Sequence, residues 1–271
     1  MSRVVIWYRY SCVEHHRGEL QAMQKYFKCI DSRVKVQKDD LVIARYSCLP
    51  YYEEQEKDIN LIGAKLINSY HEHKYVADLS AYYLDLEGIT PKTWFSLEEI
   101  DSDGPFVLKG ETNSRKGRWA THMFAKDKAR AANIFWELSN DALFQDTKQR
   151  ICIRQFENFH KYYDSINGMP ITKEFRFFMY KDRILSSAYY WSDHLDNPPN
   201  ASEVPGEFIQ DIVNRIGNSI KFYVIDVGQL DTGEWMVVEL NSGQMAGLSE
   251  NVPNILYENL ATALKDDGYT L

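Results

Sequence analysis

Cysteine is scarce in this 271-residue chain, and the four present (Cys12, Cys29, Cys48 and Cys152) form no C-x-x-C pair. That spacing argues against a disulfide scaffold and a zinc ribbon, and predicts free thiols in a reducing cytoplasm. An excess of positive charge is missing too. Lys and Arg number 31 against 39 Asp and Glu, a net charge of −8. A protein that coats nucleic acid carries a basic face, so nucleic acid is not an expected partner, although a local basic pocket stays open. No apolar run approaches the ~18 residues of a membrane span. The opening run Val4–Tyr8 is too short for a signal-peptide core, and no small-residue cleavage site follows. The expectation is a cytoplasmic protein with no membrane partner. Internal repeats and low-complexity tracts are also absent. With 44% hydrophobic residues, 18 Tyr and 6 Trp, the chain has the material of a sizeable core, and disorder is excluded.

What is there reads as strands and helices in alternation. Arg3–Tyr8 predicts a strand, and residues 14–28 a helix through Leu20, Met23 and Phe27. Strands at 41–44 and 65–67 flank an acidic helix around Glu53–Asp58 after the Pro50 break, an order that predicts a small parallel α/β lobe. Val76, Leu79, Tyr83 and Leu86 fall on one helical face ahead of Gly88 and Pro91. An extended segment at 92–95 and a brief helical turn at 97–100 follow. Beyond Gly104 the pattern predicts strands at 106–109, 119–124 and 151–156, with a helix at 128–139. Two hairpins then follow, 173–180 with 183–191 and 222–227 with 234–240, separated by an amphipathic segment at 204–220. A helix starting at Pro253 closes the chain. Hairpins alternating with helices indicate α+β lobes after a parallel one.

Three segments can carry chemistry. Lys109, Arg115, Lys116 and Arg118 surround Gly110 and Gly117 in an otherwise acidic protein. Glycines free the backbone and the cations neutralise charge, so this loop suits a polyphosphate; the alternative is a solvated basic hairpin. It is not a P-loop, because no G-x-x-x-x-G-K-[ST] occurs. The second segment is Asp226 with Glu239 and Asn241. Strand alternation points Glu239 and Asn241 the same way, with Asp226 on the paired strand. Hard oxygen donors of this kind suit Mg²⁺, and an acid among Val237, Val238 and Leu240 needs a partner or a metal; the alternative is an exposed polar strand face. The third is Glu174-Phe175-Arg176, where the arginine could stabilise a transferring phosphoryl group or form a cross-strand ion pair.

In this order the three segments resemble the ATP-grasp superfamily. The strand-end lysine of Phe106-Val107-Leu108-Lys109, the basic loop, the linker strand 151–156, Glu174-x-Arg176, and the closing Asp226…Glu239-x-Asn241 all follow its layout. More narrowly, with counterparts of Val42-Ile43-Ala44-Arg45, the chain resembles a branch of that superfamily common in phage genomes. The resemblance implies an α+β ATP-grasp fold. Residues 1–70 would be the α/β pre-ATP-grasp lobe, 71–153 the lobe carrying the phosphate loop, and 154–271 the lobe carrying the metal site. It implies ATP and Mg²⁺ as cofactors, with two ions as the expected number. Lys109 would contact the ATP phosphates, with Lys116 or Arg118 closing over them. Backbone groups near Arg154, Gln155 and Phe156 would pair with adenine, and Glu174 would stand among the nucleotide-binding residues. Arg176 and Lys116 would act at the transferring phosphoryl group, and Asp226, Glu239 and Asn241 would hold Mg²⁺.

The implied reaction activates a carboxylate as an acyl phosphate and joins it to an amine or similar nucleophile, small molecule or peptide; the alternative is an ATP-binding sensor without turnover. Many relatives dimerise, so an oligomer is open. Arg9 and Arg45, at predicted strand ends of the first lobe, are candidate anchors for an anionic substrate, against ordinary surface charge as the alternative. Two departures concern the substrate. Ser242-Gly243-Gln244 follows Asn241 where many relatives have an arginine, and Ala77-Asp78-Leu79 stands where many carry an Asp-Lys pair, with Lys74 as a candidate substitute. His15-His16 and His71-x-His73 lack acids at ligand spacing and read as helix-end or surface histidines.

Overall fold

The computed structural model describes residues 2–9, 18–217 and 219–271. The first sheet holds β1 (Val4–Tyr8), β2 (Lys28–Ile30), β3 (Leu41–Arg45) and β4 (Lys65–Leu66) in the order β2-β1-β3-β4, with every pairing parallel. β1 and β3 are buried at every position, as strands covered on both faces must be. Helices α1 (Glu19–Tyr26) and α2 (Tyr52–Leu61) make the crossovers. α1 ends at Phe27, whose backbone turns extended, so Lys28 opens β2 rather than closing the expected helix; residues 14–17 of that expectation lie outside the described ones.

The predicted helix through Leu86 is two, α3 (Tyr70–Ala77) and α4 (Leu79–Tyr82), parted at Asp78 by an extended backbone. Val76, Leu79, Tyr83 and Leu86 are all still buried in one cluster, so the apolar stripe survives the break. The second sheet is antiparallel in the order β5-β8-β6-β7, from β5 (Thr93–Trp94), β6 (Phe106–Gly110), β7 (Phe124–Ala125) and β8 (Ile151–Gln155). Residues 97–100 form a turn without a helix, and residues 119–124, expected as a strand, are mostly helical. α5 (Trp119–His122) closes with Met123 N–H on the Trp119 carbonyl at 3.0 Å, and only Phe124 and Ala125 form a strand beside β6, extended by the Met123 carbonyl, which accepts from Leu108 N–H at 2.8 Å. Aromatic and β-branched composition suggested a strand there, but the return from the basic loop is too short to pair further. α6 (Lys128–Ser139), capped by the Asp127 carboxylate, and α7 (Ala142–Thr147) cover this sheet.

A small hairpin, β9 (Lys161–Asp164) with β10 (Pro170–Thr172), was not legible in the sequence. The third sheet, β12-β11-β13-β14, is antiparallel and built from β11 (Glu174–Tyr180), β12 (Arg183–Tyr189), β13 (Phe222–Gln229) and β14 (Trp235–Ser242). One face packs Phe175, Phe177, Tyr223 and Ile225 against α8 (Gly206–Ile216). The other packs Phe178, Tyr180, Phe222 and Val224 against α9 (Pro253–Asp266) and the first lobe. No helix among the described residues is long and apolar enough to cross a membrane.

A polar clasp fixes the first lobe to the third sheet. Ala44 N–H donates to Gln244 Oε1 (3.0 Å), Gln244 Nε2 donates to Tyr52 Oη (2.6 Å), and Asn68 exchanges two hydrogen bonds with the Phe222 backbone. His73 lies behind it, buried and stacked on Tyr52 with ring centroids 3.9 Å apart, so it is not the surface histidine expected. Burial, reinforced by Lys74, lowers its pKa to about 4. The unfolded chain therefore binds this proton more readily than the folded one. The neutral ring contributes its full stability above about pH 6.5, and that contribution is lost as pH falls toward 4, about 3 kcal/mol in all. Urea denaturation at pH 7 and pH 4 checks it: His73→Phe, which keeps the stack, is expected to lose about 3 kcal/mol less than wild type on acidification. An unchanged difference would place the acid sensitivity elsewhere.

Candidate nucleotide and metal site

The ends of the second and third sheets enclose a cavity of about 570 Å³, a size suited to a cofactor. Lys109 reaches it from the end of β6. A Cβ at Gly110 would overlap the Phe144 ring and the Gln149 amide, so glycine lets the chain turn there into the basic loop. From β14 Glu239 lines it, while Asn241 on β14 and the fully buried Asp226 on β13 adjoin Glu239 from within the sheet, with Asp226 directly opposite Glu239 in register. A β-bulge adjoins that pair. It leaves Val238 as the extra residue, and the Val238 carbonyl accepts from Arg154 Nη1 at 2.6 Å. Alternation along β11 puts Glu174 and Arg176 on the same sheet face as Phe178 and Tyr180, so the apolar half of that face packs on the first lobe while Glu174, at the other end, lines the cavity.

The charges are paired. Arg176 holds Asp226 with two hydrogen bonds of 2.8 and 2.7 Å and donates to the Gly247 carbonyl at 2.7 Å. The cross-strand ion pair foreseen for Arg176 therefore exists, with Asp226 as its partner. Lys109 pairs with Glu239. Asn241 Nδ2 lies 3.2 Å from Glu239 and 3.5 Å from Asp226. Burial pushes the Glu239 carboxyl up, but Lys109, Lys116 and Arg176 outweigh it and hold the group below the usual carboxylate range. Glu174 goes the other way: burial raises it, against the pull of Lys116. The Asn241 amide thus turns its nitrogen to the two carboxylates, and with the amide turned over its oxygen would complete an all-oxygen donor set of the kind that suits Mg²⁺. Among the described residues no group of three or more His, Cys, Asp and Glu forms a metal site, so the candidate depends on the asparagine.

Lys116 donates to Tyr190 Oη at 2.5 Å and lies over the Tyr190 and Trp191 rings. Arg118 is exposed beside His122 and does not line the cavity, which leaves Lys116 as the loop cation that does. The Gln155 and Phe156 N–H groups already donate to the carbonyls of Lys92 and Pro105, so any pairing with a base falls to backbone from the Phe156 carbonyl onward. Arg154 is tied down by Thr93, Thr90 and Val238, and acts as a strut between the two sheets. The apolar end of the cavity is lined by Met123, Phe124, Phe156, Phe159 and Val238.

The first-lobe arginines lie elsewhere. Arg45 is buried, paired with Glu19 at 2.8 Å and bound to Tyr257 and the Gln244 carbonyl, so its charge is committed to the fold. Arg9 stacks on Tyr46. Lys74 pairs with Asp78 at 2.5 Å, away from the cavity lining. His15 and His16 lie outside the described residues. Tyr190 and Trp191, which sequence reading passed over, had no signal beyond a run of aromatics at the end of a strand.

The sequence model of an ATP-grasp domain family, the third family of its clade, matches residues 96–260. This chain belongs to that family. The match covers the basic loop, strand β8 and the Asp226…Glu239-x-Asn241 hairpin of this ATP-grasp protein. No curated protein matches it in sequence. Among solved structures it is similar to the D-cycloserine synthetase DcsG, with TM-score 0.62 at 10% identity over 97% of this chain and 99% of that one. It is also similar to D-alanine–D-alanine ligase from Bacillus anthracis complexed with ATP, with TM-score 0.59 at 12% identity over 99% of this chain and 100% of that one. The ATP-grasp ligase PsnB complexed with minimal precursor, Mg and ADP gives TM-score 0.57 at 9% identity, over 97% and 98% of the two chains. At these identities the likeness is one of fold, and it extends over the whole ATP-grasp architecture including the first lobe.

Proposed function

We propose that this protein is an ATP- and Mg²⁺-dependent ligase that activates a carboxylate and joins it to an amine. The observation that carries the reading is the meeting of Lys109, Lys116 and Glu239 in one cavity, with the buried Asp226 facing Glu239 across the strand pair and the Asn241 amide beside both acids. That is the arrangement a nucleotide polyphosphate with its metal requires. The family membership and the ligases of similar fold, one of them holding Mg and ADP, favour it. Three lobes are the natural division, near residues 1–70, 71–153 and 154–271.

In this reading Asp226, Glu239 and Asn241 hold Mg²⁺, with two carboxylates available to serve two ions. When bound, the metal neutralises the phosphates and polarises the transferring group. Lys109 exchanges Glu239 for phosphate oxygens, and Lys116 moves from Tyr190 onto the same anion. Arg176, fixed by Asp226 and Gly247, stands where charge on the transferring phosphoryl group is stabilised. The aromatic and aliphatic end of the cavity takes the base, with the Phe156 carbonyl and the chain after it offering polar edges. A carboxylate oxygen then bonds to the γ-phosphorus as the bond to ADP breaks. The amine nitrogen next bonds to the acyl carbon as phosphate leaves, and the amine releases a proton.

Lys109→Ala tests the nucleotide assignment. Calorimetric titration with ATP in the presence of Mg²⁺ is expected to show about tenfold or greater loss of affinity, the value of a charge-assisted contact to phosphate. Unchanged affinity would move the phosphate site elsewhere, and a wild-type chain that ignores ATP would overturn the ligase reading itself.

A further inference from the structure

Lys116 occupies a receptor built for an ammonium ion. Its Nζ lies 4.4 Å from the Tyr190 ring centroid and 4.8 Å from that of Trp191. Those rings stand edge to face, 4.9 Å apart at 79°, and make two walls of a corner. Beside Tyr190, whose hydroxyl accepts from this ammonium at 2.5 Å, the negative charges of Glu239 and then Glu174 act on it. The carboxylate is anchored to the corner as well: Thr172 Oγ1 donates to Glu174, and Trp191 Nε1 donates to Thr172 Oγ1 at 3.3 Å. Aromatic faces with a carboxylate behind them are the recognised chemistry for binding a cationic amine.

Charge balance points the same way. Asp226 is matched by Arg176 and Glu239 by Lys109, which leaves Lys116 as the cation for Glu174. If Lys116 transfers to a bound polyphosphate, Glu174, only 8% exposed, loses the cation that opposes the effect of its burial. A buried carboxylate left in that state takes up a proton or a new cation, and an ammonium ion brings both in one group. The space Lys116 leaves has the dimensions of a primary ammonium, because it has just held one.

We infer that the corner formed by Tyr190, Trp191 and Glu174 is the acceptor site, that it selects a primary alkylammonium, and that Lys116 occupies it until nucleotide draws the lysine away. This rests on the ligase reading for the departure of Lys116, and it deepens that reading by making the acceptor a cationic amine and its binding ordered after ATP.

The test is calorimetric titration of the full chain with n-butylammonium chloride, using n-butanol as the uncharged control. With Mg²⁺ and the non-hydrolysable β,γ-imido analogue of ATP bound, saturable binding of the ammonium and none of the alcohol is expected. Trp191→Leu should weaken that binding about fivefold, and the isosteric Glu174→Gln about tenfold. Without nucleotide the wild type should not bind the ammonium, whereas Lys116→Ala should. Circular dichroism confirms that each variant is folded, and Glu174→Gln keeps the test decisive if Trp191→Leu is not. Equal binding by wild type and both variants, or by ammonium and alcohol, overturns the inference. So does failure of Lys116→Ala to bind the ammonium. A wild type that binds nucleotide but no ammonium removes the acceptor site alone. A wild type that binds no nucleotide removes the ligase reading, while the Lys116→Ala titration still decides whether the corner binds amines.

Discussion

Glu239→Gln is expected to lower ligation turnover on the order of 100-fold or more while leaving the fold intact. The substitution keeps the volume of the side chain and removes its charge. In the folded chain that charge neutralises Lys109 and faces Asp226 across the β13–β14 pair. Gln offers one amide oxygen to a metal where Glu offers a carboxylate, and it no longer compensates the lysine. Screening ADP release against pooled carboxylates and amines, with circular dichroism as the control for folding, measures the effect. A Mg²⁺ titration of ATP binding separates lost metal affinity from lost chemistry. Turnover at the wild-type rate would sink the metal assignment.

Asp226→Ala is expected to have the largest effect on stability, a loss of about 3–5 kcal/mol in urea denaturation. Asp226 is fully buried, and both of its oxygens accept from Arg176. Its removal leaves a guanidinium with 8% side-chain exposure and no counterion. The loss measures a stranded charge rather than the net worth of the pair, and a second variant shows the difference. Asp226→Leu combined with Arg176→Met should recover most of the stability, because an apolar pair of similar volume requires no desolvated charges. The same double variant should have no ligase turnover. A single variant as stable as wild type would mean that Arg176 finds another partner. A double variant as unstable as the single would mean that the two strands require the ion pair itself.

The chemistry of this region was legible because strand geometry is regular. A period of two places Glu239 and Asn241 on one face whatever surrounds them, and an acid within an apolar strand must be compensated. The hairpin turn at Asp231-Thr232-Gly233 pairs β13 with β14, but its register alone would set Asp226 opposite Val238, and the bulge moves Asp226 on to face Glu239. The parallel first lobe was legible for a similar reason, since short apolar strands alternating with helices permit few arrangements. Residues 119–124 show where such reasoning stops. Their composition favours a strand, yet the length of the return from the phosphate loop decides in favour of a helical turn.

Arg45 and His73 show the same limit for side chains. By position Arg45 stands at a strand end, where substrate anchors are common in α/β lobes. Its partners Glu19, Tyr257 and Gln244 come from three distant segments that meet only in the folded chain. His73 sits in a helix with no acid at ligand spacing, and only the packing of that helix against Tyr52 makes it a buried, neutral ring. Gln244 follows β14, and its side chain ties that strand to the first lobe.

By itself the sequence determined most of the element types, the ordered motifs of an ATP-grasp chain, and which residues could offer oxygen donors and cations. These depend on local spacing and on the cost of placing charge in apolar segments, which any fold must respect. Only the tertiary structure decided which cation meets which carboxylate, that Lys116 rather than Arg118 faces the cavity, and that Tyr190 and Trp191 enclose it. Such pairings depend on register, on the bulge at Val238 and on contacts between sheets far apart in sequence, and no local pattern encodes them.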